Sequence, residues 1–414
     1  MAMSNVSTLN VLLYGQPIGT ITNVGHDRTL FAFTDDYISN DARPVLSLGF
    51  KDSLGGLITD FKPTQTKLTP FFSNLLPEET MRHYLAERAN VNPAREFFLL
   101  WVLGQDLPGA ITVVPADGET LPPNVHEEVE EGGAPEQPMR FSLAGVQLKF
   151  SAVQQAAGGL TIPVSGTGGS WIVKLPSSRF EAVPENEFAM MEMARMLGMD
   201  VPETQLLSID QIGNIPEGIG RFGNSAFAIK RFDRSTDGTA IHMEDFAQVF
   251  GVYPEDKYKK ASMRNIAQVI GLEGHEGDVA EFIRRLVFNT LIGNADMHLK
   301  NWSVIYNDKQ SASIAPAYDF VSTIAYIPDD SASLKVSRTK KFSEFTLDEL
   351  SHLAAKAMLP EKLVLDTARE TISAFHEIWN REKTNLPLTK HMIEVIEKHL
   401  QNVPLVGKQA GTGV

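Results

Sequence analysis

One stretch of this 414-residue sequence constrains the fold most, because it places polar side chains where core residues would be expected. In "NTLIGNADMHLKNWSVIY", an Asp, a His, a Lys and an Asn occupy residues 296 to 301, between an apolar helical pattern and an apolar strand pattern. A second short strand pattern, "SIAPAY", follows and leads directly into Asp319. Polar residues crowded between core elements need a chemical explanation.

The order of helix, Asp296, Asn301, hairpin and Asp319 is the one that protein kinases use for phosphoryl transfer. A magnesium-bound triphosphate needs hard oxygen ligands, which Asn301 and Asp319 can supply. An acceptor hydroxyl needs a carboxylate within hydrogen-bond reach, and Asp296 is placed for that role. An Asp and an Asn beyond a helix end are also common turn or capping residues, so this spacing alone favours a structural role.

Two upstream residues shift the balance toward catalysis. Lys174 lies in the apolar strand pattern "WIVKLP", which suits a lysine that holds the α- and β-phosphates of a nucleotide. Glu187 extends the apolar stripe of the next helical pattern, and a carboxylate there needs a buried partner such as Lys174. A lone strand lysine is usually a surface residue, but the ordered series from Lys174 to Asp319 is much less expected by chance.

The composition limits the kinds of binding site that the protein can have and predicts its location. The chain is 43% hydrophobic, contains no Cys and has a formal net charge of -14. Disulfides and Cys-based zinc sites are therefore excluded, and so is nucleic-acid binding over the whole surface. The N-terminal residues lack a signal-peptide pattern and "FFLLWVLG" is too short to cross a bilayer, which predicts a cytoplasmic protein with no membrane partner.

A change of composition divides the chain. Residues 115–139 are rich in Pro, Gly and Glu and have few apolar residues, so they are predicted to form a linker or mobile loop. Strand patterns dominate residues 9 to 60, with a hairpin around Gly15, Gln16 and Pro17. Helical patterns dominate the C-terminal part, and together these patterns predict an α+β protein.

Several stretches resemble the HipA family, bacterial serine/threonine kinases that act as toxins of toxin-antitoxin pairs. They are "FSLAGVQLKFSA", "IVKLP", "KRFDR", "LIGNADMHLKNWSV" and "PAYDF". "FFSNLLPEE" in the N-terminal part also resembles a family signature, so the likeness covers nearly the whole chain. The His follows the Asp in "NADMHLKN", which inverts the order of ordinary protein kinases but is similar to the HipA pattern.

The resemblance implies a two-lobed protein-kinase-like fold with an N-terminal α/β subdomain and a mostly helical C-terminal lobe, with ATP bound between the lobes. The expected units are an N-terminal α/β subdomain (1–114), a linker or mobile loop (115–139), a kinase-like N-lobe core (140–234), a helical C-terminal kinase lobe (235–405) and a disordered tail (406–414).

The resemblance also implies roles for individual residues. Asp296 would be the catalytic base, and Asn301 and Asp319 would bind Mg²⁺. The residues expected around ATP are Lys174, with Glu187 as its ion-pair partner, the hinge residues Lys230, Arg231 and Phe232, and His298, Tyr318 and Asp319. His298 could instead be a hydrogen-bonded histidine that only braces the loop.

The segment "SLAGVQLK" stands where an ordinary kinase has its Gly-rich loop. It has one glycine and cannot match that pattern, so its backbone and its lysine would have to cover the phosphates. The residues expected to do so are Ala144, Gly145, Val146, Gln147, Leu148 and Lys149. In the family, the serine at the position of Ser142 is autophosphorylated, which displaces this loop; alternatively, Ser142 only starts a strand.

Partners follow from the resemblance as well. It implies a HipB-like antitoxin that carries the complex to operator DNA, and a protein substrate among the components of translation, such as an aminoacyl-tRNA synthetase. The basic run "KVSRTKK" could contact DNA phosphates or form a solvated loop; its basic residues are Lys335, Arg338, Lys340 and Lys341. Two other functions stay open: a small-molecule phosphotransferase, and a non-catalytic corepressor acting with the antitoxin.

Overall fold

The computed structural model describes residues 7–116, 148–155, 159–163, 168–215, 223–328 and 330–406 of the chain. Within these ranges, helices and three β-sheets are packed together, which confirms the predicted α+β class. No helix in this part of the chain is long and apolar enough to cross a membrane. The predicted linker at 115–139 lies outside the described residues from 117 onward, and so does the tail from 407.

The N-terminal subdomain is built on an antiparallel sheet. Its strands are β1 (Ser7–Leu13), β2 (Gln16–Asn23), β3 (Arg28–Phe33), β4 (Thr64–Gln65) and β5 (Ile111–Pro115), in the order β4-β3-β2-β1-β5. The first hairpin turns at Tyr14 and Gly15, both with positive φ, one residue before the predicted position. Two turn residues with positive φ match the twist of the paired strands. Gln16 and Pro17, which were predicted to lie in the turn, are the first two residues of β2.

Four helices in the described part of the N-terminal subdomain add buried residues to the core of this sheet. They are α1 (Asp35–Ser39), α2 (Pro70–Ser73), α3 (Glu79–Arg88) and α4 (Glu96–Leu103). The core is rich in aromatic rings: Phe31 packs edge-on against Phe33 and Phe72 at 4.8 Å between ring centroids. The helix α3 occupies most of the stretch "PEETMRHYLAERA", residues 77–89.

A second sheet carries the lysine of interest. Its strands are β6 (Lys149–Gln154), β7 (Leu160–Thr161), β8 (Trp171–Lys174), β9 (Thr204–Ser208), β10 (Ile212–Gly213) and β11 (Ser225–Lys230), in the order β10-β7-β6-β8-β11-β9. Helix α5 (Val183–Met196) packs on β9 and β11 through buried methionines, among them Met190 and Met193. The strand β8, which ends at Lys174, lies inside the sheet and pairs with β6 on one edge and with β11 on the other.

The C-terminal lobe is mainly helical around a small antiparallel sheet. Its elements are β12 (His242–Asp245), α6 (Phe246–Val249), α7 (Met263–Glu273), α8 (Glu276–Leu291), β13 (Ser303–Tyr306), β14 (Ser313–Ile314), α9 (Leu347–Ala357), α10 (Glu361–Glu382) and α11 (Lys390–Asn402). The helix α8 is buried along most of its length, and Phe288 packs between Phe320 and Phe375. Gly293 ends this helix at a φ of +67°, where an added Cβ would lie 2.3 Å from Ile324.

Buried polar contacts join the N-terminal subdomain to the rest of the molecule. The carboxylate of Asp233 accepts hydrogen bonds from the Arg231 guanidinium at 2.9 Å and from the Gly109 backbone at 2.8 Å. Arg231 also pairs with Asp106 at 2.8 Å. At a second contact, Glu244 accepts a hydrogen bond from the Leu48 backbone at 2.8 Å. Charges buried with partners at fixed geometry hold the two parts in one orientation.

Candidate active site

A lysine lies between two carboxylates where the second sheet meets the C-terminal lobe. Lys174 is the last residue of β8, Glu187 lies on the first half of α5, and Asp319 follows β14. The ammonium of Lys174 is 2.5 Å from Glu187 Oε1 and also contacts Asp319 Oδ1. Asp319 has a φ of +64°, a backbone conformation that costs free energy in residues other than Gly and is concentrated at functional sites.

The electrostatics of these three groups follow from burial and close contact. Burial raises the pKa of Glu187 to about 7 in spite of the neighbouring Lys174. Burial acts in the same direction on Asp319, but the positive charges of Lys174 and Lys149 outweigh it and hold the Asp319 pKa well below its usual range. Asp319 therefore stays ionised at neutral pH and is available as an anionic ligand.

Asp296 lies on the loop that leaves α8. Its backbone N–H donates to Asn294 Oδ1 at 3.1 Å, and its side chain keeps 51% of its surface exposed. Partial burial and the negative charge of Asp319 raise the pKa of Asp296 to about 6. A carboxylate with this pKa, open to solvent and hydrogen-bonded at its backbone, can take a proton from an incoming hydroxyl.

The rings of Tyr258 and His298 lie beside Asp296. The Tyr258 hydroxyl donates to Asp296 Oδ1 at 3.1 Å, and the rings of Tyr258 and His298 meet edge to face at 5.1 Å between centroids. His298 is buried, and its Nε2 lies 3.9 Å from Asp296 Oδ2. Burial and the nearby Lys257 lower the pKa of His298 to about 3, so His298 is neutral at physiological pH.

Asn301 ends the short 3₁₀ helix Leu299–Asn301 and donates through Nδ2 to the Asp296 carbonyl at 2.9 Å. This bond uses the amide nitrogen and leaves the amide oxygen able to bind a metal. Within the described part of the chain, no three His, Asp or Glu side chains gather into a metal site. Asn301 and Asp319 are hard oxygen donors that suit Mg²⁺, and further ligands would have to come from phosphate and water.

The side chains of the three predicted hinge residues lie in three different surroundings. Lys230 ends β11, and its side chain is half-exposed, with Nζ 3.7 Å from Glu203 Oε2. The Arg231 guanidinium points into the buried Asp106 and Asp233 contacts between subdomains, so its side chain is used structurally. The Phe232 ring lies 5.7 Å from the Tyr318 ring, and Tyr318 in turn hydrogen-bonds to the Lys300 carbonyl at 2.9 Å.

Only the end of the "SLAGVQLK" segment can be described. Ser142 and residues 144–147 lie outside the described residues, and Leu148 is buried. Lys149 lies directly opposite Lys174 across β6 and β8, so both side chains are on the same face of the sheet. Lys149 is exposed on that face, and its charge contributes to the low pKa of Asp319.

Three residues that the structure brings to this site have no predicted role in the sequence motifs. Glu78, from the "FFSNLLPEE" stretch, lies 2.7 Å from Lys257 and 2.8 Å from Lys300. These two lysines hold the pKa of Glu78 at about 2, although burial alone would raise it. In the sequence, Glu78 is indistinguishable from an acidic residue of a helix first turn, and its partners lie far along the chain.

A strand lysine paired with a helix glutamate, between a sheet and a helical lobe, is typical of protein-kinase-like folds. Comparison with known proteins agrees. A sequence model of the HipA N-terminal domain matches residues 9–114, and one of the HipA-like C-terminal domain matches residues 141–379. The chain belongs to the HipA family, as the sequence motifs predicted.

Individual relatives support this assignment. The chain is 56% identical over 406 residues to "Putative kinase Y4dM" of Sinorhizobium fredii, covering 97% of this chain and 98% of that protein. It is 32% identical over 371 residues to Y4mE of the same organism, covering 83% of each. It is also 28% identical over 302 residues to the serine/threonine-protein kinase toxin HipA of Shewanella oneidensis, covering 64% of this chain and 65% of that one.

The fold has a counterpart among solved structures. A chain in the complex of HipA, HipB and operator DNA from the Shewanella oneidensis toxin-antitoxin system superposes with a TM-score of 0.70. The match covers 96% of both chains at 20% sequence identity. The predicted two-lobed, kinase-like α+β fold is thereby confirmed.

Proposed function

We propose that this chain is an ATP-dependent serine/threonine kinase that acts as the toxin of a toxin-antitoxin pair. The observation that carries the proposal is the position of Lys174 between Glu187 and Asp319, with the carboxylate of Asp296 electrostatically coupled to Asp319. A structural ion pair would need one carboxylate. A lysine shared by two carboxylates, beside a half-exposed third, suits phosphate binding and proton transfer.

Asp296 is proposed as the general base. Its pKa of about 6 lies close to neutral pH, so the carboxylate is ionised there and still basic enough to accept the proton of a serine or threonine hydroxyl. The hydrogen bonds from Tyr258 and to Asn294 fix its position. Holding the base at the acceptor hydroxyl contributes mainly by orientation, because phosphoryl transfer needs little covalent help from the protein.

The remaining residues are proposed to bind the nucleotide. Lys174 and Lys149 would contact its phosphates, and Asn301 and Asp319 would hold Mg²⁺ against them. When bound, MgATP supplies the phosphoryl group. The main chain of the hinge, residues 230–232, would contact adenine, with the Tyr318 and Phe232 rings and neutral His298 nearby. Glu187 would orient Lys174.

Regulation and partners complete the proposal. Ser142 would be the autophosphorylated residue, and residues 144–148 would cover the phosphates. A HipB-like antitoxin would bind this chain and carry it to operator DNA; the solved complex of HipA, HipB and operator DNA supports that assembly. A component of translation, such as an aminoacyl-tRNA synthetase, would be the protein substrate. The cytoplasm, where these partners act, would be its location.

The test is phosphate incorporation from γ-labelled ATP with Mg²⁺, using the full chain, Asp296→Asn and Lys230→Ala. We expect Asp296→Asn to lower incorporation by about 10²- to 10⁴-fold while nucleotide binding persists. Lys230→Ala should retain nearly full activity, because Ala keeps the main chain that is proposed to contact adenine and the lost side chain is half-exposed, with its Nζ 3.7 Å from Glu203. Labelling that persists in Asp296→Asn would exclude the catalytic role.

The same preparation separates the two other functions. Mapping by mass spectrometry should find the phosphate on Ser142, and Ser142→Ala should remove it. Phosphate transfer to a metabolite but to no protein would favour a small-molecule phosphotransferase. Unchanged operator binding and toxicity in Asp296→Ala, without any ATP turnover, would favour a corepressor.

A further inference from the structure

Two basic segments that are distant in the sequence border the proposed catalytic loop. Residues 257–264 and 335–341 contain no Asp or Glu, in a chain whose formal net charge is -14. The structure joins them: the backbone N–H of Arg264 donates to the Val336 carbonyl at 2.9 Å, and that of Met263 to the Lys335 carbonyl at 2.9 Å. The two segments therefore form one surface.

The segment 257–264 contacts the loop that holds Asp296 directly, and the segment 335–341 follows closely on a residue that does, Ser333. The Tyr258 hydroxyl donates to Asp296 Oδ1 at 3.1 Å, and the backbone N–H of Ser333 donates to the Ala295 carbonyl at 2.8 Å. Lys340 lies near this contact, because its carbonyl accepts a hydrogen bond from the backbone N–H of Ala332, the residue before Ser333. The basic surface thus lies against the residue proposed to receive the substrate hydroxyl.

Some of the cations on this surface are already neutralised. Arg338 pairs with Asp348 and Glu349, Lys341 is 3.5 Å from Glu344, and Lys257 is held by Glu78. Four others have no ion pair or hydrogen bond from their side chains to any residue that the structure describes: Lys259, Arg264, Lys335 and Lys340. Lys259, Lys335 and Lys340 are exposed and Arg264 is half-buried.

We infer that Lys259, Arg264, Lys335 and Lys340, called here the basic face, bind an acidic segment of the protein substrate next to its phosphorylated hydroxyl. The inference rests on the proposed kinase function and adds a substrate preference to it. Unpaired cations at a catalytic loop attract negative charge and place it in register with Asp296. Next to them lies a groove of about 500 Å³, lined by Val252, Tyr253, Asn265 and the pair of Lys260 and Asp256, which are 3.8 Å apart. This groove can receive uncharged side chains of such a segment.

An acidic peptide fits this face better than a nucleic acid does. A nucleic acid carries charge along its whole length, and the chain at a net charge of -14 repels it outside a small basic area. A short acidic segment needs only the few cations that the basic face offers. The position beside Asp296 also favours a group that must come close to the proposed base, namely a peptide with a hydroxyl to be phosphorylated.

The test compares the full chain with a variant in which Lys259, Arg264, Lys335 and Lys340 are all changed to Ala. A matched control replaces four exposed lysines on α9 to α11, namely Lys356, Lys362, Lys390 and Lys398, and changes the net charge equally. The probes are fluorescent 12-residue peptides with a central Ser flanked by Glu or by Lys, and a 20-base-pair DNA duplex. Binding is followed by anisotropy without ATP, and phosphorylation is followed separately with MgATP.

We expect the full chain and the control to prefer the Glu peptide, and the basic-face variant to bind it about tenfold more weakly or worse. KM for this peptide should rise correspondingly, with autophosphorylation of the same protein unchanged. The preference should also shrink as salt is raised, since the charges are exposed. Equal binding of Glu and Lys peptides, or loss of duplex binding alone, would overturn the inference.

Failure of the kinase proposal gives a different pattern. In that case the Glu peptide would bind in a basic-face-dependent manner while neither it nor the protein itself became phosphorylated. Phosphorylation of both peptides with equal KM would instead retain the kinase and remove the acidic substrate preference.

Discussion

Glu78 Oε1 lies 2.8 Å from Lys300 Nζ, and the same carboxylate lies 2.7 Å from Lys257 Nζ. Glu78 belongs to the N-terminal subdomain, whereas Lys300 immediately precedes Asn301 in the loop of Asp296. The Lys300 ammonium also donates to the Asn74 carbonyl at 3.0 Å. The "FFSNLLPEE" stretch therefore supports the candidate active site directly, and the subdomain is more than an attachment to the kinase-like core.

Replacing Glu78 by Gln should slow phosphoryl transfer without abolishing it. Gln keeps the size of the side chain but removes the charge that balances Lys257 and Lys300. Without that charge, the field of Lys257 at Asp296 is less compensated, so the pKa of Asp296 should fall. We expect kcat to drop by about tenfold, as for a group that orients the loop, with KM for ATP little changed.

The pH profile of this variant separates an electrostatic role from a merely structural one. The acid limb of kcat should move to lower pH in Glu78→Gln. Glu87→Gln, an exposed change on the same helix α3, should leave both rate and profile unaltered. A profile that keeps its acid limb while kcat drops would show that Glu78 acts only through folding.

Substitutions at the lysine cluster should have unequal effects. In Lys174→Met, the buried Glu187 and the partly buried Asp319 lose their shared cation, so the pKa of Asp319 should rise and Mg²⁺ binding should weaken. In Glu187→Gln, Lys174 keeps Asp319 as its partner. We therefore expect activity to fall by about 10²-fold or more in Lys174→Met and by a smaller factor in Glu187→Gln.

The affinity of each protein for MgATP, measured by titration with a fluorescent ATP analogue, tests this ranking of the two variants. Both variants should bind more weakly than the unchanged chain, and Lys174→Met should be the weaker of the two. Equal affinities in all three proteins would mean that the cluster is a structural ion pair only.

Activity should rise with pH through the pKa of Asp296. A general base acts in its deprotonated form, so the rate should be half-maximal near pH 6 and level off about one pH unit higher. His298, with a pKa of about 3, stays neutral over this range and contributes no limb. Tyr258→Phe removes a hydrogen bond that stabilises the ionised carboxylate, so its acid limb should move to higher pH.

Initial rates at saturating MgATP, from pH 5 to 8, measure this profile. The shifts in Tyr258→Phe and Glu78→Gln should have opposite signs, which a general loss of stability cannot produce. A flat profile in the unchanged chain would remove Asp296 as the base.

The sequence predicted the elements of the site better than the contacts between them. Lys174 and Glu187 could be singled out because each lies within the apolar pattern of a strand or helix, and Asp319 because it directly follows a strand pattern; these are local signals. Arg231 follows a strand pattern in the same way, but its partner Asp106 lies in another subdomain, and no local pattern specifies that contact. The role of Glu78 was hidden for the same reason: its lysines come from two distant loops.

Among the residues that join the N-terminal subdomain to the rest of the molecule, Asp233 should be the one whose replacement lowers stability most. Its carboxylate accepts two hydrogen bonds from Arg231 at 2.9 Å, one from Arg234 at 2.9 Å and one from the Gly109 backbone at 2.8 Å. In Asp233→Ala, the buried Arg231 keeps only its contacts with Asp106 and the Leu107 carbonyl. Breaking a buried ion pair from one side typically costs about 3–5 kcal/mol, because the remaining charge loses its partner.

We therefore expect the thermal transition of Asp233→Ala to fall by several degrees, or to separate into two steps as the N-terminal subdomain loosens from the lobe. Scanning calorimetry measures this, and limited proteolysis locates the loosened part. Asp237→Ala serves as the control, since Asp237 lies in the neighbouring exposed turn, where its side chain hydrogen-bonds to Ser235 and Thr239. An unchanged transition in Asp233→Ala would mean that the other contacts between the subdomains, among them Leu48 with Glu244 and Glu78 with Lys300, hold them together without Asp233.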